Sequence, residues 1–300
     1  MNNIKVEFSI KDLENLSGIK AHTIRIWEKR YNLFQPKRTE TNIRYYTTES
    51  LQKILNVAFL NNNGYKISKI SSLTNEEISK LVNEITSKEL QVENHAINSL
   101  KLSMLTFNEH LFHKTYNELI ELKTFKEIFY NTFLPLLHHI GILWQTETIT
   151  PAHEHFVSTL IKQKLLLNIE KNNVVEQNKR EKIFVLFLPE NEIHEIGLML
   201  INYELKSKGY QTIFLGQSIP TESLKDPLSL YDDITFISYF TIKPEREDID
   251  NYLQVFKQTI LHNNTNELWI LGNMAKSLEL NKLPKGISAF NTIKDLVKNL

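Results

Sequence analysis

The chain has 300 residues, 35 basic against 35 acidic side chains and 41% hydrophobic residues, enough for about two to three domains with packed cores. It has no cysteine, which excludes disulfides and thiolate metal sites and fits a reducing cytoplasm. The opening Met1-Asn2-Asn3-Ile4-Lys5-Val6-Glu7 lacks the apolar core of a signal peptide, and no apolar run approaches the roughly 20 residues of a bilayer span, so a cytoplasmic protein with no membrane partner is expected.

The charge is unevenly spread. Between Met1 and Leu73 there are twelve basic and six acidic residues, so this head carries +6 and the remainder −6. A basic head on an acidic body is expected when one domain meets a polyanion. Ser9 before Ile10, Leu13 and Leu16 reads as a capped short helix. Gly18 breaks the chain, and a second helix runs from about Ala21 to Tyr31. Helix, glycine-containing turn and helix make a helix-turn-helix pattern. His22, Thr23, Arg25, Lys29 and Arg30 give the second helix a polar, basic face suited to the major groove, with early residues at base edges. Trp27 reads as core and Glu28 as an internal salt-bridge partner. From Gln35 to Tyr46 a proline, a polar centre and two tyrosines predict a short hairpin, or wing. On it Lys37, Arg38, Arg44 and Tyr45 are candidate DNA contacts. Two helices follow, about Thr48 to Asn62 and Ile67 to Leu73.

Arg25-Ile26-Trp27-Glu28-Lys29-Arg30-Tyr31, then Pro36 and Asn42-Ile43-Arg44-Tyr45-Tyr46, resembles the MerR family of regulators over the first quarter of the chain. The resemblance implies a winged helix-turn-helix that works as a homodimer on a double-stranded operator with an inverted repeat.

Thr74 to Glu93 is polar, a connecting helix by the same resemblance. Four helical stretches follow, about Lys88 to Leu105, Asn108 to Glu121, Thr124 to Gln145 and Pro151 to Glu170. Their short loops predict a four-helix bundle. An antiparallel pair would bring Trp144, near the end of the third, to Glu154 and His155 in the first turn of the fourth.

From Lys182 the texture changes. The run Ile183 to Leu188 reads as a strand buried on both faces. Helices and strands then alternate: a helix from about Ile196 to Lys208, a strand near Gln211 to Leu215, a helix near Thr221 to Ser229, a strand near Ile234 to Tyr239, a helix near Glu247 to His262, strands near Leu268 to Leu271 and Ile287 to Phe290, and a terminal helix from Thr292. This predicts a flavodoxin-like, doubly wound parallel sheet of about five strands, with ligands beyond the carboxyl ends of the strands. The loop after the first strand, Pro189-Glu190-Asn191-Glu192-Ile193-His194-Glu195-Ile196-Gly197, puts a histidine at that rim. Imidazole is a good nitrogen ligand for a transition metal, and a nearby acid sets its tautomer. Gly197 lets a bulky group approach the helix start. The domains expected are 1–75 DNA-binding, 76–93 linker, 94–176 helical cap and 180–300 the α/β domain.

Glu192 to Gly197 resembles the acid-x-His-x-x-Gly motif of base-off cobalamin-binding domains. With Pro135, Ile140-Gly141, Trp144 and Glu154-His155 upstream, nearly the whole chain resembles the cobalamin-dependent MerR regulators of the CarH/LitR type. That resemblance implies cobalamin, as adenosylcobalamin, with His194 as the lower axial ligand to cobalt and Glu192 behind it. Trp144, Glu154 and His155 would shield the upper face, and the nucleotide tail would run near Gly216, Ser238 and Gly272. Light-sensing members form a DNA-binding homotetramer with adenosylcobalamin and lose it when the cobalt–carbon bond breaks. Gln145 stands where those members place a histidine; His138 lies one heptad earlier. The family's Ser-x-Leu appears as Ser238-Tyr239-Phe240 and its Gly-Gly as Gly272-Asn273, larger side chains that narrow the tail's channel. A cobalamin-responsive repressor, with a light response open to it, and no enzyme, is therefore expected. The competing readings are a regulator whose sensor has lost corrin binding, and a corrinoid carrier or methyltransferase subunit.

Overall fold

The computed structural model describes residues 7–86, 92–172, 179–261 and 265–300. The chain divides into two compact units, Met1–Ile161 and Lys162–Leu300.

The first unit is helical apart from one hairpin. Helix α1 (Ile10–Ser17) starts at a reciprocal cap: the Ser9 hydroxyl accepts from Asp12 N–H at 3.1 Å and the Asp12 carboxylate accepts from Ser9 N–H at 2.8 Å. It ends at Gly18, whose φ of +75° is the left-handed conformation that closes a helix. Helix α2 (Ala21–Tyr31) follows, burying Ile24 and Trp27. Strands β1 (Lys37–Arg38) and β2 (Arg44–Tyr45) pair antiparallel as the wing. Then come α3 (Thr48–Asn62), α4 (Ile67–Ile70) and α5 (Asn75–Thr86). The polar stretch after Thr74 is thus helical as far as Thr86; residues 87–91 of the expected linker, with the expected helix start at Lys88, lie outside the described residues.

Helices α6 (Val92–Thr106), α7 (Glu109–Ile120), α8 (Phe125–Ile128), α9 (Leu134–Gln145) and α10 (Pro151–Asn172) complete the helical part. The stretch expected as one helix from Thr124 to Gln145 is interrupted by a π turn, Phe129–Phe133. Pro135 in the first turn of α9 has no N–H to give to the preceding turn, and the wider π turn, with Leu134 N–H on Phe129 O, accommodates that loss. Phe112, Phe129, Phe133, Leu136, Leu143 and Val157 form its core. Residues 173–176, the end of the expected cap, lie outside the described residues.

The second unit carries a five-stranded, all-parallel sheet. Strands β3 (Lys179–Pro189), β4 (Tyr210–Ile219), β5 (Ile234–Tyr239), β6 (Glu267–Leu271) and β7 (Ile287–Ala289) lie in the order β4-β3-β5-β6-β7. Residues Ile183 to Leu188 of β3 are all buried, as a central strand covered on both faces requires. Phe187, Phe236 and Phe256 anchor one face, with Phe187 and Phe256 stacked at 5.8 Å. Helix α11 (Ile196–Ser207) follows β3, α13 (Ile249–Thr259) follows β5, and α14 (Ile293–Lys298) ends the chain. The helix expected from Glu247 has its described part at Ile249–Thr259; His262, its expected end, lies outside the described residues. The helix expected from Thr221 to Ser229 is instead a 3-10 turn, Thr221–Leu224, and one helical turn, α12 (Lys225–Leu228). Pro227 within that turn removes a donor that a longer helix needs. Among the described residues, no helix is long and apolar enough to cross a membrane.

Candidate functional site

The basic head presents one polar surface. On α2, His22, Arg25 and Arg30 are exposed and Thr23 is half-buried; on the wing, Lys37, Arg38 and Arg44 are exposed and Tyr45 is half-buried. Trp27, at 6% exposure, is core. The two wing tyrosines divide: Tyr46 is fully buried and gives its hydroxyl hydrogen to the Glu28 carboxylate. Burial, then that bond, holds the Tyr46 hydroxyl well above its ordinary pKa. Glu28 also faces Arg44, with Oε2 at 4.0 Å from Nε. One carboxylate on the recognition helix therefore holds Tyr46 at the base of the wing and faces Arg44 beside it. Arg38 is partly committed within the wing, where its Nη1 donates to Asn42 Oδ1 at 2.7 Å.

The second site is the loop between β3 and α11, in the other unit. Glu192 is 1% exposed. Its Oε1 accepts from Ile193 N–H (2.9 Å), His194 N–H (2.9 Å) and His194 Nδ1 (2.6 Å). Its Oε2 accepts from the N–H groups of Ile242 (2.7 Å) and Lys243 (2.9 Å), just beyond β5. The Glu192 backbone carbonyl takes Ser218 N–H at 3.2 Å, tying the same loop to β4. Burial alone would raise the Glu192 pKa; the bonds from His194, Lys243 and Ile242 outweigh it and hold the group at about 2. A carboxylate that stays ionised makes the imidazole donate from Nδ1, which leaves the ring's lone pair on Nε2. The His194 side chain is 38% exposed. This is one imidazole nitrogen able to ligate a metal, its tautomer set by Glu192, at the carboxyl edge of a parallel sheet. Among the described residues, no group of three or more His, Cys, Asp or Glu gathers as a metal site. A lone imidazole suits a metal whose other ligands come from its own macrocycle, so the donor set fits a corrin.

The remaining rim residues lie at the same edge. Gly216 has φ +83° at an irregularity of β4, where the register to β3 shifts between Leu186 and Phe187. Ser238 is fully buried and donates its hydroxyl to Phe187 O at 3.0 Å. Gly272 has φ +106°, and a Cβ there would lie 2.3 Å from Phe240 O. Gly197 does admit a bulky group at the start of α11, but the group that stands there is this chain's own Tyr239 ring, 2.8 Å from where a Cβ would be.

In the first unit, Trp144 is 53% exposed at the end of α9. In the first turn of α10, Glu154 is half-buried and His155 exposed. Sequence reasoning passed over His153, which is 3% exposed, stacks on Phe107 at 4.7 Å and accepts Thr150 N–H on Nδ1 at 3.2 Å. Its signal was the spacing Thr150-x-x-His153, in which the imidazole takes the place of the capping-box acid. Sequence reasoning also missed a cavity of about 560 Å³ among α3, α5, α6 and α7, lined by Asn56, His95, Ser99, Thr115 and Glu118 among others. Burial holds the His95 pKa below its ordinary value. None of the DNA or rim residues lines this cavity.

Comparisons with known proteins match two parts of the chain, both ahead of the Glu192–His194 loop. Residues 8–77 match the MerR HTH family regulatory protein model, and residues 96–167 match the B12 binding domain model. Residues 8–77 thus match a MerR-type helix-turn-helix, and residues 96–167 a cobalamin-binding domain, in one chain. Its relatives include the HTH-type transcriptional repressor CarH of Myxococcus xanthus, 26% identical over 281 residues that cover 90% of each chain. CarA, an HTH-type transcriptional repressor of the same organism, is 23% identical over 79% of this chain and 78% of its own. Among solved structures, the monomethylamine corrinoid protein of Methanosarcina barkeri superposes with a TM-score of 0.58 at 11% identity, over 69% of this chain and 97% of its own. At that identity the likeness is one of fold.

Proposed function

We propose that this chain is a transcriptional repressor that binds an inverted-repeat operator as a homodimer or homotetramer and is switched by adenosylcobalamin. The observation that carries the reading is the His194–Glu192 pair at the sheet edge, in the same chain as a winged helix-turn-helix. His22, Thr23, Arg25 and Arg30 meet the major groove, while Lys37, Arg38, Arg44 and Tyr45 meet backbone or minor groove. His194 would ligate the cobalt, with Glu192 fixing its tautomer. Trp144, Glu154 and His155 meet the adenosyl side of the corrin. Gly216, Ser238 and Gly272 would border the nucleotide tail, and Gly197 the approach to the start of α11. The cobalamin supplies a cobalt–carbon bond that light or chemistry can break; the chain's residues bind, orient and shield it. In this reading α6, α7, the stretch from α8 through α9, and α10 are the four members of a helix bundle, and the sheet is flavodoxin-like, since β4-β3-β5-β6-β7 is the 2-1-3-4-5 order. The functional segments are 1–75, 76–93, 94–176 and 180–300. Repression is taken from CarH and CarA, whose names describe repressors.

The test is an absorbance spectrum of the full chain with adenosylcobalamin, in the dark and after illumination, with operator binding measured on the same samples. A bound spectrum that His194→Ala alters, together with corrin-dependent operator affinity, is the expected result. A second reading, a sensor that no longer takes corrin, is favoured by the Tyr239 ring on Gly197. It predicts corrin in the flow-through and operator affinity indifferent to it.

A further inference from the structure

The head of the chain keeps its large apolar side chains inside, with two exceptions. Ile26 is 52% exposed and Ile43 is 64% exposed; every other large aliphatic or aromatic side chain described among residues 7–86 is buried or half-buried. Both exceptions lie on the elements read above as meeting DNA, Ile26 on α2 and Ile43 on the wing beside Arg44. Single exposed apolar residues are ordinary on protein surfaces. Two that fall on the operator-facing elements, with none elsewhere in the head, make a pattern. On α2, Ile26 comes one turn after His22 and one turn before Arg30, so the three share a face. Arg25 and Lys29, both exposed, flank it. Ile24 and Trp27 are buried and hold the other face of the helix to the core. Ile26 is therefore an apolar spot set in a basic, polar stripe, held there by a helix that cannot turn it inward without exposing Trp27.

We propose that Ile26 is a specificity residue that reads the C5 methyl group of a thymine in the operator. The proposal rests on the operator-binding reading above. The floor of the major groove is mostly hydrogen-bond donors and acceptors, and the apolar group it offers is the thymine methyl, which apolar side chains recognise by contact. A recognition helix lies along that groove with its early residues at base edges, and Ile26 stands in the second turn of α2, on the face of His22. The basic neighbours supply charge and hydrogen bonds, neither of which senses a methyl group. The minor groove carries no thymine methyl, so Ile43, if its wing lies there, has no such group to find and serves as the comparison. The operator half-site then contains a thymine that is required for its methyl as well as for its pairing.

The experiment selects duplexes from a random library with the full-length protein in the presence of adenosylcobalamin. Each thymine of the selected half-site is then replaced in turn by uracil, which pairs alike and lacks only the methyl. Fluorescence anisotropy gives the affinities. Wild-type protein is expected to lose about fourfold at one thymine, the worth of one buried methyl group. Ile26→Ala should bind the thymine and uracil duplexes within about twofold of each other at that place. Ile26→Val keeps a branched apolar side chain and should keep the preference, and Ile43→Ala should keep the wild-type penalty. Because Ile26 is exposed, Ile26→Ala should melt with wild type. Equal wild-type affinity for every thymine and uracil duplex overturns the proposal without any variant. An Ile26→Ala that retains the full uracil penalty overturns it too, since another residue then reads the methyl. If the library yields no preferred sequence, the operator reading itself has failed and takes this inference with it.

Discussion

The Nδ1 of His194 stands 2.6 Å from Oε1 of Glu192, on a carboxylate that also accepts four backbone N–H groups, those of Ile193, His194, Ile242 and Lys243. One buried anion thus does two jobs. It fixes the tautomer and angle of the imidazole, and it ties the loop after β3 to the loop after β5. Glu192→Gln replaces one acceptor oxygen by an NH2 group that faces N–H donors. The variant should lose roughly 2–4 kcal/mol of stability, the cost of leaving buried donors unpaired. The pH dependence has a definite sign. The folded pKa of about 2 lies below the ordinary carboxylate value, so the stabilisation is full above about pH 5 and fades as pH falls toward 2. Thermal melts of wild type and Glu192→Gln at pH 7, 5 and 3 check this. The gap should be widest at pH 7 and narrow at pH 3, and a gap that stays constant would remove Glu192 as the cause.

The Glu28 carboxylate links helix α2 to the wing through Tyr46 and Arg44. Tyr46→Phe keeps the buried ring but leaves a nearly buried carboxylate short of a donor. A stability loss of about 1–2 kcal/mol is expected. Because the wing's position relative to the recognition helix then loosens, operator affinity should fall for all sequences alike. Loss of preference at a single base pair, with nonspecific affinity intact, would contradict this assignment.

Arg25 and Arg44 differ in surroundings, and the salt dependence of binding should reveal it. Arg25 is exposed on the recognition helix, while Arg44 is exposed on the wing with its Nε toward Glu28. Arg44→Ala is expected to weaken binding to any duplex and reduce the slope of log affinity against log salt by about 1, as a phosphate contact does. Arg25→Ala should cost about 1–3 kcal/mol on the operator and relax specificity at one position. Fluorescence anisotropy with operator and scrambled duplexes at several salt concentrations measures both. Wild-type curves from both variants would dismiss the proposed docking face.

Much of this architecture was legible because local signals were strong and agreed. Ser9, Gly18 and the Ile24–Trp27 spacing bound α1 and α2 where the structure has them. The apolar run from Ile183 to Leu188 identified the central strand, and the short acid-x-His loop after it identified the rim histidine. What stayed hidden depends on contacts distant in sequence. Nothing near Gly197 announces that Tyr239, forty-two residues later, fills the space its hydrogen leaves. Nothing in Glu154-His155 says that His153 is the inward histidine, because helical phase at a capped start is set by the cap and the neighbour Phe107. No local pattern around Lys101 marks it as buried, because what covers it lies on other helices.

Lys101, on α6, is only 7% exposed, and its Nζ reaches Leu16 O, in the last turn of α1, at 3.4 Å. The helix end attracts a cation, but the bond is long and the ammonium is buried beside the His139 imidazole. Burial lowers the Lys101 pKa to about 8; for His139, burial first, then Lys101 and His138, bring it to about 4. At neutral pH the folded state therefore carries a poorly compensated charge. Removing it should help: Lys101→Met, similar in length and apolar, is expected to raise stability at pH 7 by about 1–3 kcal/mol. The folded pKa lies below the unfolded one, so between about pH 8 and 10 the unfolded chain holds the extra proton. Wild-type stability from this group therefore rises with pH, and the advantage of Lys101→Met should shrink between pH 7 and pH 9.5. Denaturant unfolding of both proteins at the two pH values measures the difference. If Lys101→Met is destabilising at pH 7, then the bond to Leu16 outweighs the cost of burial, and this lysine is a clamp on the helix-turn-helix instead of a strained charge.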